Sequence, residues 1–140
     1  MPYVLEGAYT TNFANGENAC KMLGWADGAV ENAIVRYRRD AATQASAVVD
    51  GLPGARIGLL VGAAELSGTS EAASVTLARS SSKKEKAGDC DFSWRIRMTV
   101  EFEGTTAVGK VFYEQVANKK DDCPAILCTN IQTTRGTKVP

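Results

Sequence analysis

The sequence predicts an α+β domain: a helical N-terminal third packed on a mainly antiparallel sheet. Three observations lead there. Residues 92–102 alternate strictly, with Phe92, Trp94, Ile96, Met98, Val100 and Phe102 separated by Ser93, Arg95, Arg97, Thr99 and Glu101, the pattern of a half-buried strand. A break at Gly104-Thr105 and a second β-rich run at 108–116 follow, so an antiparallel hairpin over 92–116 is expected. Upstream, Ala19, Leu23, Ala26, Val30, Ala33, Ile34, Tyr37 and Ala41 recur at helical spacing, which predicts one long or two broken helices over 17–47.

Taken in order, residues 1–11 carry Tyr3, Leu5 and Tyr9 in a loose alternation, read as a short strand or an extended arm reaching to residue 14. Asn15 or a neighbour would cap the helix that begins near Glu17. Gly24 and Gly28 weaken that helix, each costing about 1 kcal/mol against alanine, and a rival reading makes 33–39 a strand. Asp50-Gly51-Leu52-Pro53-Gly54 is a turn, because glycine supplies positive φ and proline removes a donor. Residues 56–66 then read as a buried strand and 74–80 as another. Residues 80–88 are an exposed basic loop, 118–122 a charged turn, 126–133 a last strand and 134–140 a polar tail. No internal repeat or domain boundary interrupts this, so 1–140 is read as a single domain.

The chain has 140 residues, and a chain of that length buries about two-thirds of its unfolded surface without metal or disulfide staples. Sixteen basic residues balance sixteen acidic ones, so long-range attraction to nucleic acid or an anionic surface needs a local patch. The opening residues show no signal peptide, and no apolar run is long enough for a membrane helix. The expected location is therefore cytoplasmic, or a virion, with no membrane partner.

Histidine is absent, which removes Ser-His-Asp and Cys-His arrangements, HExxH zinc sites and histidine acid-base chemistry within one chain. Neither GxxxxGK[ST] nor GxGxxG occurs, and the glycines of 51–58 read as a turn. No cofactor and no catalytic residue is assigned. The cysteines Cys20, Cys90, Cys123 and Cys128 are read first as free thiols, with a Cys123–Cys128 disulfide as the alternative. The spacing does not suit a four-thiolate zinc site, so no metal is assigned. Cys90 lies between Asp89 and Asp91, which oppose a thiolate, and Cys20 has no accompanying base. Glu101 with Glu103, and Asp121 with Asp122, read as solvated surface.

Three functions follow as expectations. An arm and a polar tail fray in an isolated small domain unless something holds them, and neighbouring copies would do so. The leading expectation is thus a non-enzymatic structural subunit that self-associates into a homo-oligomer, such as a phage or virus particle component. The second is a nucleic-acid-binding module using Arg95 and Arg97 on the polar strand face with Lys83, Lys84 and Lys86 in the preceding loop. The third is a small-ligand-binding protein or cofactor-independent enzyme with a pocket between helix and sheet near Trp94 or Tyr113.

Overall fold

The two-residue periodicity of 92–102 extends over most of the chain. In the computed structural model, which describes residues 5–118 and 122–140, it yields a closed antiparallel barrel of eight strands with 62% of residues in strands and 8% helical. The long strands are β1 (Gly7–Asn15), β2 (Val30–Ala41), β3 (Gln44–Val49), β4 (Glu65–Glu71), β5 (Ser74–Ser80), β7 (Cys90–Glu103), β8 (Thr106–Ala117) and β9 (Ile126–Lys138). A three-residue strand β6 (Glu85–Ala87) continues the β5 edge along the start of β7. Each strand pairs with its neighbour in sequence, and the cylinder closes where β1 meets β9, from Tyr9↔Lys138 to Asn15↔Gln132. Among the described residues, closure leaves no long sheet edge unpaired.

An eight-stranded barrel has an interior just wide enough to be filled by side chains or to hold one small ligand. Here Phe92, Trp94, Ile96, Met98, Val100 and Phe102 all point inward and are buried. They meet Tyr9, Phe13, Val35, Tyr37, Leu66 and Leu77 from the other strands. Such tight curvature requires close backbone approach, and two strand glycines permit it. A Cβ at Gly109 would lie 1.9 Å from the Thr99 carbonyl oxygen, and one at Gly68 would lie 2.1 Å from that of Thr76, so any side chain would force the strands apart.

The expected hairpin over 92–116 is present, with β7 and β8 in register from Phe92↔Ala117 to Glu103↔Thr106. The helical N-terminal third is not, and the fold class is corrected from α+β to an all-β barrel with one helix among the described residues. Gly24 and Gly28 take φ of 73° and 78° in a long loop, a left-handed conformation no α-helix contains. Beyond them Ala33, Val35 and Tyr37 face the lumen at strand spacing. The rival strand reading of 33–39 is therefore the correct one. Conversely, the turn and strand expected over 50–66 are helix α1 (Gly51–Val61) leading into β4. Asp50 occupies the N-cap, and Pro53 falls within the first turn, where its missing N–H is not needed. Gly62 ends the helix at φ 93° and donates its N–H to the Gly58 carbonyl.

The ends of the chain correct a second expectation. From Gly7 onward the supposed arm is strand β1, and the supposed tail is β9 as far as Lys138; the first four residues, Tyr3 among them, lie outside the described residues. Neighbouring copies are not needed to hold these segments, because they pair with each other and close the barrel. The structural, self-assembling, virion reading rested on free ends and is withdrawn with them. Among the described residues no helix is long and apolar enough to cross a membrane.

The two ends of the barrel are built differently. At one end the connections are two residues long, at 42–43, 72–73 and 104–105. The other end carries the loop 16–29, helix α1, and the segments 81–89 and 118–125. These are called the hairpin end and the looped end below.

Candidate binding site at the barrel mouth

At the looped end the apolar lumen gives way to a polar cluster. Helix α1 lies across the mouth, touching β2, β3 and β7, and its register turns Ile57, Val61 and Arg56 inward. The guanidinium of Arg56 donates from both terminal nitrogens to the two oxygens of Glu31 on β2, each at 2.6 Å. The two side chains are only 8% and 10% exposed. This hydrogen bonding to Glu31 raises the Arg56 pKa, so the cation is fixed.

Three more inward residues extend the cluster. Tyr113 on β8 donates its hydroxyl proton to Gln132 Oε1 at 2.7 Å. Gln132 Nε2 donates to Asn15 Oδ1 at 2.8 Å and approaches Glu31 Oε1 at 3.4 Å. Burial pushes the Tyr113 phenol well above its usual range, with Arg56 pulling against the rise, so Tyr113 remains a neutral donor.

The loop 16–29 is the lid over this cluster. Its Trp25 is buried, packs edge-on against Tyr113 with ring centroids 5.5 Å apart, and lies 5.3 Å from the Arg56 guanidinium. The indole N–H donates to the Gly16 carbonyl and Asn15 Nδ2 donates to the Ala26 carbonyl. A second set of bonds ties the lid to β9: the Cys20 backbone N–H donates to Asn130 Oδ1, and Asn130 Nδ2 donates to Asn18 Oδ1. A disulfide between Cys20 and Cys128 makes the tether covalent. Both sides of the site are thus polar and mutually satisfied, as buried polar groups must be. The cluster joins a planar cation, a carboxylate, a phenol and two amides, and its chemistry is recognition by hydrogen bonding.

The residues singled out from the sequence are distributed over both faces of the wall. Trp94 and Tyr113 both point into the lumen, though Trp94 packs on Phe92 while Tyr113 meets Trp25. Arg95 and Arg97 lie together on the outer face and converge on one carboxylate, Glu114, at 2.9 and 3.4 Å. Arg97 also stacks on Phe112 at 4.1 Å. Lys86 pairs with Asp91, while Lys83 and Lys84 are exposed in the 81–89 loop. The basic strand face is therefore largely neutralised by its own sheet. Glu101 and Glu103 are exposed as expected, Asp122 is exposed, and Asp121 lies outside the described residues.

The cysteine expectations need correction. None of the four is a free thiol, and Cys123 pairs with Cys90, not with Cys128. Barrel topology brings the first turn of the lid beside β9, and the start of β7 beside the 118–125 segment, so partners distant in sequence meet. Arg56, Glu31, Gln132 and Trp25 were not singled out from the sequence, and Asn15, read there as a helix cap, is instead the last residue of β1. One signal was present: Arg56 is the lone charge in the apolar stretch 51–62, and a lone charge among apolar residues needs a buried partner or a solvent-facing position.

No family model, no curated protein and no solved structure is significantly similar to this chain.

Proposed function

We propose that the protein is a non-enzymatic binding barrel for a small amphiphilic molecule, admitted at the looped end. The observation that carries this reading is the graded lumen. Apolar from Phe102, Tyr37 and Tyr9 up to Ile96, it gains Arg56, Tyr113, Gln132 and Asn15 at the mouth, beside an apolar wall of Trp94 and Phe92 and beneath a separate lid. Barrel mouths are a preferred place for small-molecule sites, and such sites combine apolar walls with a few placed polar groups. A buried ion pair is a weak device for stability alone, which further favours a recognition role for Arg56 and Glu31. The ligand's polar head would sit among these groups, and its apolar body would take the space that Ile57 and Val61 of α1 now fill. Entry requires the lid and α1 to swing away. Two disulfides suit an oxidising compartment, and such a location is part of the proposal. The nucleic-acid reading has less support, because Glu114 occupies the position between Arg95 and Arg97 that a phosphate would need.

Titration with decanoic acid, followed by tryptophan fluorescence, tests the reading. Trp25 and Trp94 flank the mouth and the lumen, so a saturable change with one-to-one stoichiometry in native mass spectrometry is expected. Absence of any saturable change with decanoic acid, decanol and decylamine alike would overturn it.

A further inference from the structure

Helix α1 is apolar on every side. Its one charged residue, Arg56, turns into the barrel, and its outward face is Leu52, Ala55 and Leu59. A helix that is hydrophobic all round is normally covered on all sides, yet Leu59 is 86% exposed and Leu52 59%. Beside the helix, the lid carries Leu23 at 98% exposure; the next residue, Gly24, accepts a hydrogen bond from Arg56 at 3.4 Å. Val30, the first residue of β2, adds 59%. These four are the most exposed large hydrophobic residues described, and all four lie at the looped end.

We infer that the looped end docks on a lipid surface by inserting Leu23, Leu52 and Leu59. Two features select a lipid surface over a protein. Together the leucines offer a few hundred Å² at most, short of the ~800 Å² that each partner contributes to a stable complex or dimer. The charges around them are mixed, with Lys21 against Glu17 and Asp27, all exposed, so nothing here selects a partner of one sign. Insertion of apolar side chains below the headgroups requires neither area nor charge complementarity. The Cys20–Cys128 disulfide anchors the lid beside Leu23 to β9, so little ordering of that loop is needed on contact.

This inference does not depend on what the lumen holds. It is tested by flotation of the oxidised protein with phosphatidylcholine vesicles, which carry no net charge. The protein should partition onto them with little dependence on salt. Leu23→Ser with Leu59→Ser should lower partitioning at least tenfold, and both positions are exposed enough that folding is unaffected. Val108→Ser with Val139→Ser, both exposed at the hairpin end, should leave it unchanged. No partitioning by the unaltered protein would overturn the inference, as would full partitioning by the leucine variant. A concentration-dependent dimer in light scattering that the leucine substitutions abolish would also overturn it, by assigning the face to a second copy.

Discussion

The hairpin end and the looped end close the same cylinder by opposite means. At the hairpin end the strands turn in two residues, and Tyr9, Tyr37 and Phe102 seal the lumen as a mutually edge-on trio with centroids 4.9 to 5.6 Å apart. Closure there is apolar, local in sequence and part of the sheet. At the looped end the cover is borrowed from elsewhere: a helix, a lid and two segments, held by a polar cluster and two disulfides. A barrel end sealed by its own strands opens only when the barrel unfolds, whereas one sealed by attached segments can open alone. That difference is why the ligand site and the docking surface are both placed at the looped end.

The largest test of the contrast is reduction. In the chain-entropy account, a crosslink spanning 108 residues stabilises by about 4–5 kcal/mol, and one spanning 33 by about 3–4 kcal/mol. Urea unfolding with and without dithiothreitol should show a loss of that order, with Cys20→Ser plus Cys128→Ser reproducing the larger part. Amide exchange should locate the change: residues of the lid should lose protection first, while β7 and β8 near Phe102 keep theirs. Equal loss at both ends would break the comparison.

Next in size are substitutions that remove one seal at a time. Phe102→Ala should cost about 3–5 kcal/mol, through lost burial and the cavity left behind. Because Phe102 is part of the sheet's own seal, this cost should appear as global destabilisation. Glu31→Ala leaves Arg56 buried and unpaired, for which about 3–5 kcal/mol is the usual scale. Here the expected relief is different, since the guanidinium can reach water once the lid and α1 lift. Exchange under native conditions should therefore rise in 16–29 and 51–61 well before the global unfolding limit. Uniform behaviour of the two variants would show that the lid has no independence.

How far these ends were legible in the sequence follows the same division. The 92–116 hairpin could be read because its alternation is strict and its turn is marked by Gly104, which takes φ of 60°. Residues 30–41 were ambiguous. Ala33 and Tyr37 satisfy both periods, and the outward Val30 and Ile34 supplied the apolar residues that a helix would need. Helix α1 was hidden by its glycines. Gly54 is a packing residue, since a Cβ there would lie 2.1 Å from the Val49 carbonyl oxygen, but in a sequence it is indistinguishable from a turn. The site was harder still. Glu31, Arg56 and Gln132 belong to three different elements, and only the barrel's closure through β1 and β9 brings them together.

A smaller effect divides the ends by pH. Burial raises the phenol of Tyr37 at the hairpin end, with Tyr9 adding to the shift, and burial also raises that of Tyr113 at the looped end. The reference phenol ionises near 10.0, so below that pH both stabilising contributions are fully present. Above it the unfolded chain loses protons that the folded chain retains, and stability falls by about 1.4 kcal/mol per pH unit for each such tyrosine. Unfolding free energies between pH 9 and about 11 should show this slope. Tyr37→Phe and Tyr113→Phe should each remove one share of it; an unchanged slope in either would mean that ring is open to water.

The smallest effect belongs to the surface of β2, just above the hairpin end. Arg38 Nε donates to Asp40 Oδ1 at 2.6 Å, and this hydrogen bond lowers the Asp40 pKa below its ordinary 3.8. A depressed carboxylate stabilises above the unfolded value and loses that contribution as pH falls through the folded one. Asp40→Asn should therefore lower neutral stability only slightly, because solvent screens an exposed pair, and flatten the acid limb below pH 4 by the same small amount. The contrast with Arg56 and Glu31 is the point of measuring it. Both are bonded arginine–carboxylate pairs on or against β2, and their exposure separates them: 65% and 30% for Arg38 and Asp40, 8% and 10% for Arg56 and Glu31. If removing the carboxylate of the exposed pair costs as much as Glu31→Ala, burial is not what makes the mouth cluster strong. The polar closure of the looped end would then be ordinary surface electrostatics, with no claim to a gating role.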